Sequence, residues 1–286
     1  RAAADTMSGG RQMPSHWSST DLHIISGSSP TGSQYLHAIG CAHATRYLKT
    51  NPKEVTLVTS GDGATSEGEF WEAINLACLH RYPVIFLIED NGYAISVPVE
   101  FQTPGGSISK LLSGFPGLLR LEVDGLDFKA SYQTMSEAVA HCREGLGPVL
   151  VHAKVIRPYS HSLSDDERFY KGTAERAREA QQDPIERLFQ ELVEAGLFSE
   201  ADLKGLMAAC DLEVQQAADL ALGQPAPPVS SIFENLYSPN IDITSSAFET
   251  APEFRGEPRT MVDTINQTLA EEMRRDERIL VFGQDV

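Results

Sequence analysis

The chain has 286 residues, 41% of them hydrophobic, enough for one large domain with a buried core and part of a second. Its 23 basic residues face 40 acidic ones, a formal charge of −17, which opposes binding to a phosphate backbone and excludes nucleic acid as an expected partner. No apolar run is long enough to span a bilayer, so no membrane partner is expected.

In chain order, Thr31 to Lys49 has a helical pattern, and Pro52 stops its continuation. A β-branched run at 55–60 leads into Gly61-Asp62-Gly63. A helix-patterned segment follows from about Glu67 to His80, then an apolar strand at 84–89 that ends at Asp90-Asn91. After a Pro/Gly-rich loop at 98–117, Leu118 to Val123 is a strand candidate and Asp127 to Cys142 is helical. Val149 to Ile156 reads as a buried strand delivering a loop with His161. Helices are expected from Pro184 to Ala195 and from Ser199 to Leu222, broken at Glu194-Ala195-Gly196. The alternation predicts an α/β fold, a mostly parallel sheet with helices on both faces. Residues 1–222 form the expected first domain and 223–259 a proline-rich linker. Residues 260–286 read as the start of a second α/β domain. Met261, Ile265, Leu269 and Met273 fall at helical spacing there, and Ile279 to Phe282 form a strand.

The segment GDGATSEGEFWEAINLACLHRYPVIFLIEDNGY places polar ligands at the carboxyl ends of two strands, the edge where open parallel sheets bind ligands. Gly61 and Gly63 let the backbone approach an anion, and the helix amino terminus offers it free N–H groups. Asp62 and Asn91 supply hard oxygens. A magnesium ion bridging them to a diphosphate would complete an octahedral oxygen site. Gly-Asp-Gly alone is a common turn, and a plain βαβ unit with a polar rim has the same elements.

The spacing of Gly61-Asp62-Gly63 to Asn91-Gly92-Tyr93 resembles the thiamine-diphosphate signature. Three further segments resemble alpha subunits of the 2-oxo acid dehydrogenases: GGRQMPSHWS from Gly9, SSPTGSQYLHAIGCA from Ser28, and RPYSHSLSDDERFY from Arg157. The similarity runs from about Gly9 to Leu222 and is closest to the branched-chain decarboxylating component; pyruvate enzymes usually carry a proline where Asp166 stands. The stretch from Thr260 resembles the opening of the family's beta subunit, whose domain binds the cofactor's pyrimidine. The chain therefore reads as an alpha–beta fusion lacking residues before Arg1 and beyond Val286, where the cofactor-activating glutamate would lie.

The resemblance implies a thiamine-diphosphate-binding fold, with thiamine diphosphate and Mg2+ as cofactors. Asp62 and Asn91 bind the metal through side chains and Tyr93 through its backbone carbonyl. Ser29 and Thr31 match positions beside the aminopyrimidine. Gly61, Gly63 and Ala64 lie against the diphosphate, and Arg157 and His161 form a basic pair near the diphosphate and the reacting carbon. Ser162 matches a serine phosphorylated in mitochondrial relatives. Relatives often have an arginine followed by Asn-Asn where this chain has Glu89-Asp90-Asn91, so Glu89 cannot make that arginine's diphosphate contact. The implied activity is oxidative decarboxylation of a branched-chain 2-oxo acid such as 3-methyl-2-oxobutanoate, with acyl transfer to a lipoyl group of a partner acyltransferase. A pyruvate or acetoin dehydrogenase component, or a non-catalytic thiamine-diphosphate-binding protein, are the alternatives. A homo-oligomer of fused chains is expected.

His161, as the expected catalytic residue, has a second reading as a solvated loop histidine. Asp165 and Asp166 are read as bracing that loop, with an acidic turn or a helix N-cap as alternatives. His16 is open to a place near the site. His23, His37, His43, His80, His141 and His152 show no metal-ligand spacing and read as structural or surface residues. Cys41, Cys78, Cys142 and Cys210 form no Cys-x-x-Cys pair; reduced, mostly buried thiols in a cytoplasmic protein are expected.

Overall fold

The computed structural model describes all residues except 1, 6, 14, 50, 235, 239, 250, 252–255 and 284–286. The chain divides into two compact units, Arg1–Pro228 and Val229–Val286.

The first unit is built on a four-stranded, all-parallel sheet. Its strands are β1 (Thr56–Gly61), β2 (Val84–Asp90), β5 (Leu119–Asp124) and β6 (Val149–Lys154), in the order β1-β2-β6-β5. The composition of each strand follows from its place. The central strands β2 and β6 are covered on both faces and are near-continuous apolar runs, VIFLIED and VLVHAK. The edge strand β5, LRLEVD, alternates half-buried and exposed residues. A two-stranded ribbon, β3 (Tyr93–Ala94) and β4 (Val97–Pro98), follows β2 directly.

Helices cover both faces, as expected. α1 (Ser33–Leu48) and α2 (Gly68–His80) contribute Tyr35, Ile39, Phe70 and Ile74 to the larger core against Val58, Phe86 and Ile88. On the other face, α5 (Phe128–Arg143) packs Ala138 and Cys142 against Ile85, Val149 and Val151. α1 starts at Ser33 rather than Thr31, because Gly32 sits at φ 92° in the left-handed region, where no helix continues. Two short helices, α3 (Val99–Gln102) and α4 (Ile108–Leu111), occupy the loop expected at 98–117.

α6 (Thr173–Ala180) has no counterpart among the elements expected from the sequence. α7 (Pro184–Glu194) starts on an Asp183 cap with Pro184 in its first turn, and α8 (Glu200–Leu222) starts on a capping box of Ser199 and Asp202. Leu203 is the buried residue of α8, whose remaining length faces outward and leaves Cys210 exposed. The expectation of mostly buried thiols is therefore corrected: Cys142 is buried, while Cys41 and Cys78 are half-buried. Among the described residues no helix is long and apolar enough to cross a membrane.

The second unit contains α9 (Met261–Arg275), capped by the Thr260 hydroxyl, which accepts from Asp263 N at 3.1 Å. The expected strand at 279–282 is not formed. A strand needs a partner edge for its hydrogen bonds, and the described residues of this unit supply no strand.

Candidate functional site

The site grows from the carboxyl ends of β1 and β2. After Gly61 the chain tightens into a 3-10 turn, Asp62–Ser66, held by the Thr65 hydroxyl donating to Asp62 O at 2.7 Å. This turn buries Asp62, which is 2% exposed. Gln102 of α3 donates to its Oδ2 at 2.6 Å, while Oδ1 is buried without a hydrogen-bond partner among the described residues. Burial pushes the Asp62 carboxyl above its ordinary range, and the charge of Asp90 adds to the rise. The backbone of Asn91 and the Gln102 amide act in the opposite sense. A buried carboxylate oxygen with no donor calls for a proton or a cation.

The second ligand turn leaves β2 at Asp90. Asn91 Oδ1 accepts from Tyr93 N at 3.1 Å, and Gly92 takes φ 81°. A carbonyl oxygen has two lone pairs, so Asn91 Oδ1 keeps one free for a further ligand. The β3–β4 ribbon then packs over the Asp62 turn. A Cβ on Gly63 would lie 2.7 Å from Ala94 Cβ. Gly63 is thus required for the ribbon's close approach, a packing reason beyond the approach of an anion. Ala64 is buried as part of the larger apolar core, and Gly61 is exposed at the strand end.

Ser29 and Thr31 reach this edge through α1. Gln34 donates to Thr59 O at 3.4 Å, the Tyr35 hydroxyl bonds Ser60 Oγ, and a Cβ on Gly32 would meet Glu67 Cβ at 2.8 Å. Both Ser29 and Thr31 are exposed. Ser29 Oγ lies 2.7 Å from His16 Nε2, so the 9–18 segment does come to the Ser29 loop. Glu89 accepts from the Thr59 hydroxyl.

The loop after β6 presents Arg157 and His161. Arg157 donates to Ile95 O at 2.8 Å and to the Tyr170 hydroxyl, and its guanidinium carbon lies 5.7 Å from the Tyr170 ring. His161 is exposed; its backbone N–H donates to Asp165 Oδ2 at 2.8 Å. Asp165 also accepts from the Tyr170 hydroxyl, and Asp166 accepts from Arg168 N at 3.1 Å and from its guanidinium. The two aspartates brace the loop. Their carboxyls are held below the ordinary range, Asp165 by the Tyr170 hydroxyl and Asp166, at about 2, by Arg168.

Four contributors escape a reading of the sequence. Gln102 bonds Asp62. His152 and Lys154 both bond Asp90. Lys171 is 2% exposed, pairs with Glu179 at 2.6 Å, and lies 5.2 Å from the Tyr93 ring centre. Tyr93 in turn donates from its hydroxyl to Glu175 of α6 at 2.9 Å. His152, expected as a structural or surface residue, is buried with its Nε2 on Asp90. All four depend on strand register or on contacts between elements apart in sequence, which no local pattern carries.

The profile of the dehydrogenase E1 component family matches residues 2–230. The chain belongs to that family. Within it, the chain is 36% identical over 237 residues to the 2-oxoisovalerate dehydrogenase subunit alpha of Bacillus subtilis, covering 82% of this chain and 71% of that one. It is 36% identical to the 3-methyl-2-oxobutanoate dehydrogenase subunit alpha of Mycobacterium tuberculosis and 33% identical to the pyruvate dehydrogenase E1 component subunit alpha of Mycoplasma pneumoniae. Those alignments cover 74% and 72% of this chain, and the chain spans 57% of the length of each of these two relatives.

Proposed function

We propose that this chain is the metal- and diphosphate-binding part of a thiamine-diphosphate-dependent 2-oxo acid dehydrogenase, an oxidoreductase that decarboxylates a branched-chain substrate such as 3-methyl-2-oxobutanoate. The acyl group passes to a lipoyl arm on a partner acyltransferase, and the working protein is an oligomer. The observation that carries the reading is the buried, unpartnered Asp62 Oδ1 beside the Asn91–Tyr93 turn.

That donor set fits Mg2+. Asp62 and Asn91 offer hard side-chain oxygens and Tyr93 a backbone carbonyl, the ligand types this ion takes alongside phosphate. Thiamine diphosphate, when bound, supplies the nucleophilic carbon and the electron sink for loss of carbon dioxide. The residues of this chain do the rest. Gly61, Gly63 and Ala64 present backbone to the diphosphate, and Arg157 balances its charge. Ser29 and Thr31 border the aminopyrimidine. His161, exposed on its braced loop, orients the 2-oxo acid and moves a proton during acyl transfer. Residues 260–286 are read as part of a pyrimidine-binding domain fused through 223–259. The apolar residues Met261, Ile265, Leu269 and Met273 of α9, 77, 50, 41 and 44% exposed, support that reading because they await a packing partner.

The branched-chain substrate is favoured by the two relatives at 36% identity; pyruvate is the second reading, carried by the relative at 33%. Carbon dioxide release from 3-methyl-2-oxobutanoate and from pyruvate, by the full-length protein assembled with its partners, separates them. Higher kcat/KM for the branched substrate is expected, and higher kcat/KM for pyruvate would reverse the assignment.

A further inference from the structure

We infer that Asp90, held by His152 and Lys154, is a positioning residue that fixes the Asn91–Tyr93 turn for the metal; the inference rests on the metal reading above. The geometry begins with register. On β6, Lys154 lies directly opposite Asp90 and His152 opposite Ile88. Residues two apart on a strand share a face, so both side chains reach the same side as Asp90.

The Asp90 carboxylate is consequently shared between two elements. Its Oδ2 accepts from His152 Nε2 at 2.7 Å and from the Lys154 ammonium, and its Oδ1 accepts from Gly92 N at 2.8 Å. Asn91 repeats the last bond one residue on, its Oδ1 accepting from Tyr93 N. The two side chains thus wind successive residues into one turn, and the first is anchored to β6. An ionised carboxylate only accepts, so His152 donates from Nε2. Its Nδ1 is buried and has no hydrogen-bond partner among the described residues.

The turn also needs the anchor. Gly92 takes φ 81°, a left-handed conformation that glycine adopts without strain, and the Asp90 and Asn91 side chains hold the turn by accepting from Gly92 N and Tyr93 N. Lys154 offsets the charge of Asp90 beside Asp62, two carboxylates that would otherwise repel each other. Groups that orient metal ligands from behind have measurable effects on affinity even though they never touch the ion.

The test is Mg2+ titration by calorimetry at fixed thiamine diphosphate, in the full-length assembled protein, with the melting temperature of the metal-free protein read in parallel. Asp90→Ala is expected to weaken Mg2+ binding about tenfold or more. Asp90→Asn keeps an oxygen for Gly92 N but turns an amide N–H toward His152 and Lys154 and loses the ion pair, and is expected to weaken binding less than Asp90→Ala and about as much as Lys154→Met. A purely structural role predicts instead that affinity follows melting temperature in both variants. Lys154→Met alters a side chain that is 56% exposed, keeps the fold, and is expected to weaken binding measurably; it decides alone if Asp90→Ala does not fold. Unchanged affinity in Asp90→Ala and Lys154→Met, with binding lost in Asp62→Ala, would overturn the brace. Wild-type affinity in Asp62→Ala would overturn the metal reading and the brace with it.

Discussion

Asp62 and Asp90 titrate in opposite directions: burial and the Asp90 charge outweigh the Gln102 donor on Asp62, whereas Asp90 has three donors in His152, Lys154 and Gly92 N. Burial and the Asp90 charge raise the Asp62 carboxyl, so its contribution to stability is present at low pH and is lost as pH rises through the raised value. Asp62→Asn therefore should stabilise the metal-free protein at neutral pH by about 1 kcal/mol while removing metal binding, a trade of function for stability that urea titration would show. A loss of stability in that variant would mean that Oδ1 already has a donor or a cation. For Asp90 burial acts upward, but the His152 and Lys154 hydrogen bonds win and hold it at about 2. A depressed carboxyl contributes above its unfolded value of 3.8 and loses that contribution as pH falls toward 2. Wild-type protein should lose about 2 kcal/mol more than Asp90→Asn between pH 5 and pH 2, since each tenfold change in proton affinity is worth roughly 1.4 kcal/mol. Parallel acid-denaturation curves would count against the pairing.

At the scale of elements, the sheet was legible because burial writes itself into composition. β2 and β6 are apolar throughout and proved central; the Gly-Asp-Gly and Asp-Asn ends proved to be its carboxyl edge. α6 was not legible. Its sequence, TAERAREA, offers alanine as its sole apolar residue type, too little for a periodic signal, and it is placed by Glu175 on Tyr93 and Glu179 on Lys171. The run at 279–282 shows the converse error, apolar residues taken for a strand without a partner edge. Lys171 is the tie between α6 and the His161 loop, donating also to Arg157 O at 3.5 Å. Lys171→Met leaves half-buried Glu179 without its partner and should destabilise the protein by about 2 kcal/mol. It should also speed protease cleavage between Ser160 and Arg168. Wild-type cleavage should slow when Mg2+ and thiamine diphosphate are added to the assembled protein, since Arg157 then gains an anionic partner. Equal rates in both proteins, with and without cofactor, would remove the loop from the cofactor's reach.

At the scale of the molecule, both apolar clusters lie within Arg1–Pro228, the stretch that coincides with the family match at 2–230. A polypeptide of residues 1–228 should therefore fold by itself and melt cooperatively. The site divides in the same way as the fold. Asp62 and Asn91 could be read in the sequence because each sits in a local turn with a fixed spacing to the other. Gln102, His152 and Lys154 could not, because their meaning comes from strand order and register that no local pattern carries. The central claim is that these strand ends form a cation-dependent diphosphate site. Calorimetry of thiamine diphosphate binding to the full-length assembled protein, with Mg2+ and with chelator, tests it most directly. Binding should need Mg2+ in the wild type and fall by about tenfold or more in Asp62→Ala, the scale of effect expected even for groups behind a metal site. Binding of equal strength with chelator, or unchanged in Asp62→Ala, would contradict it.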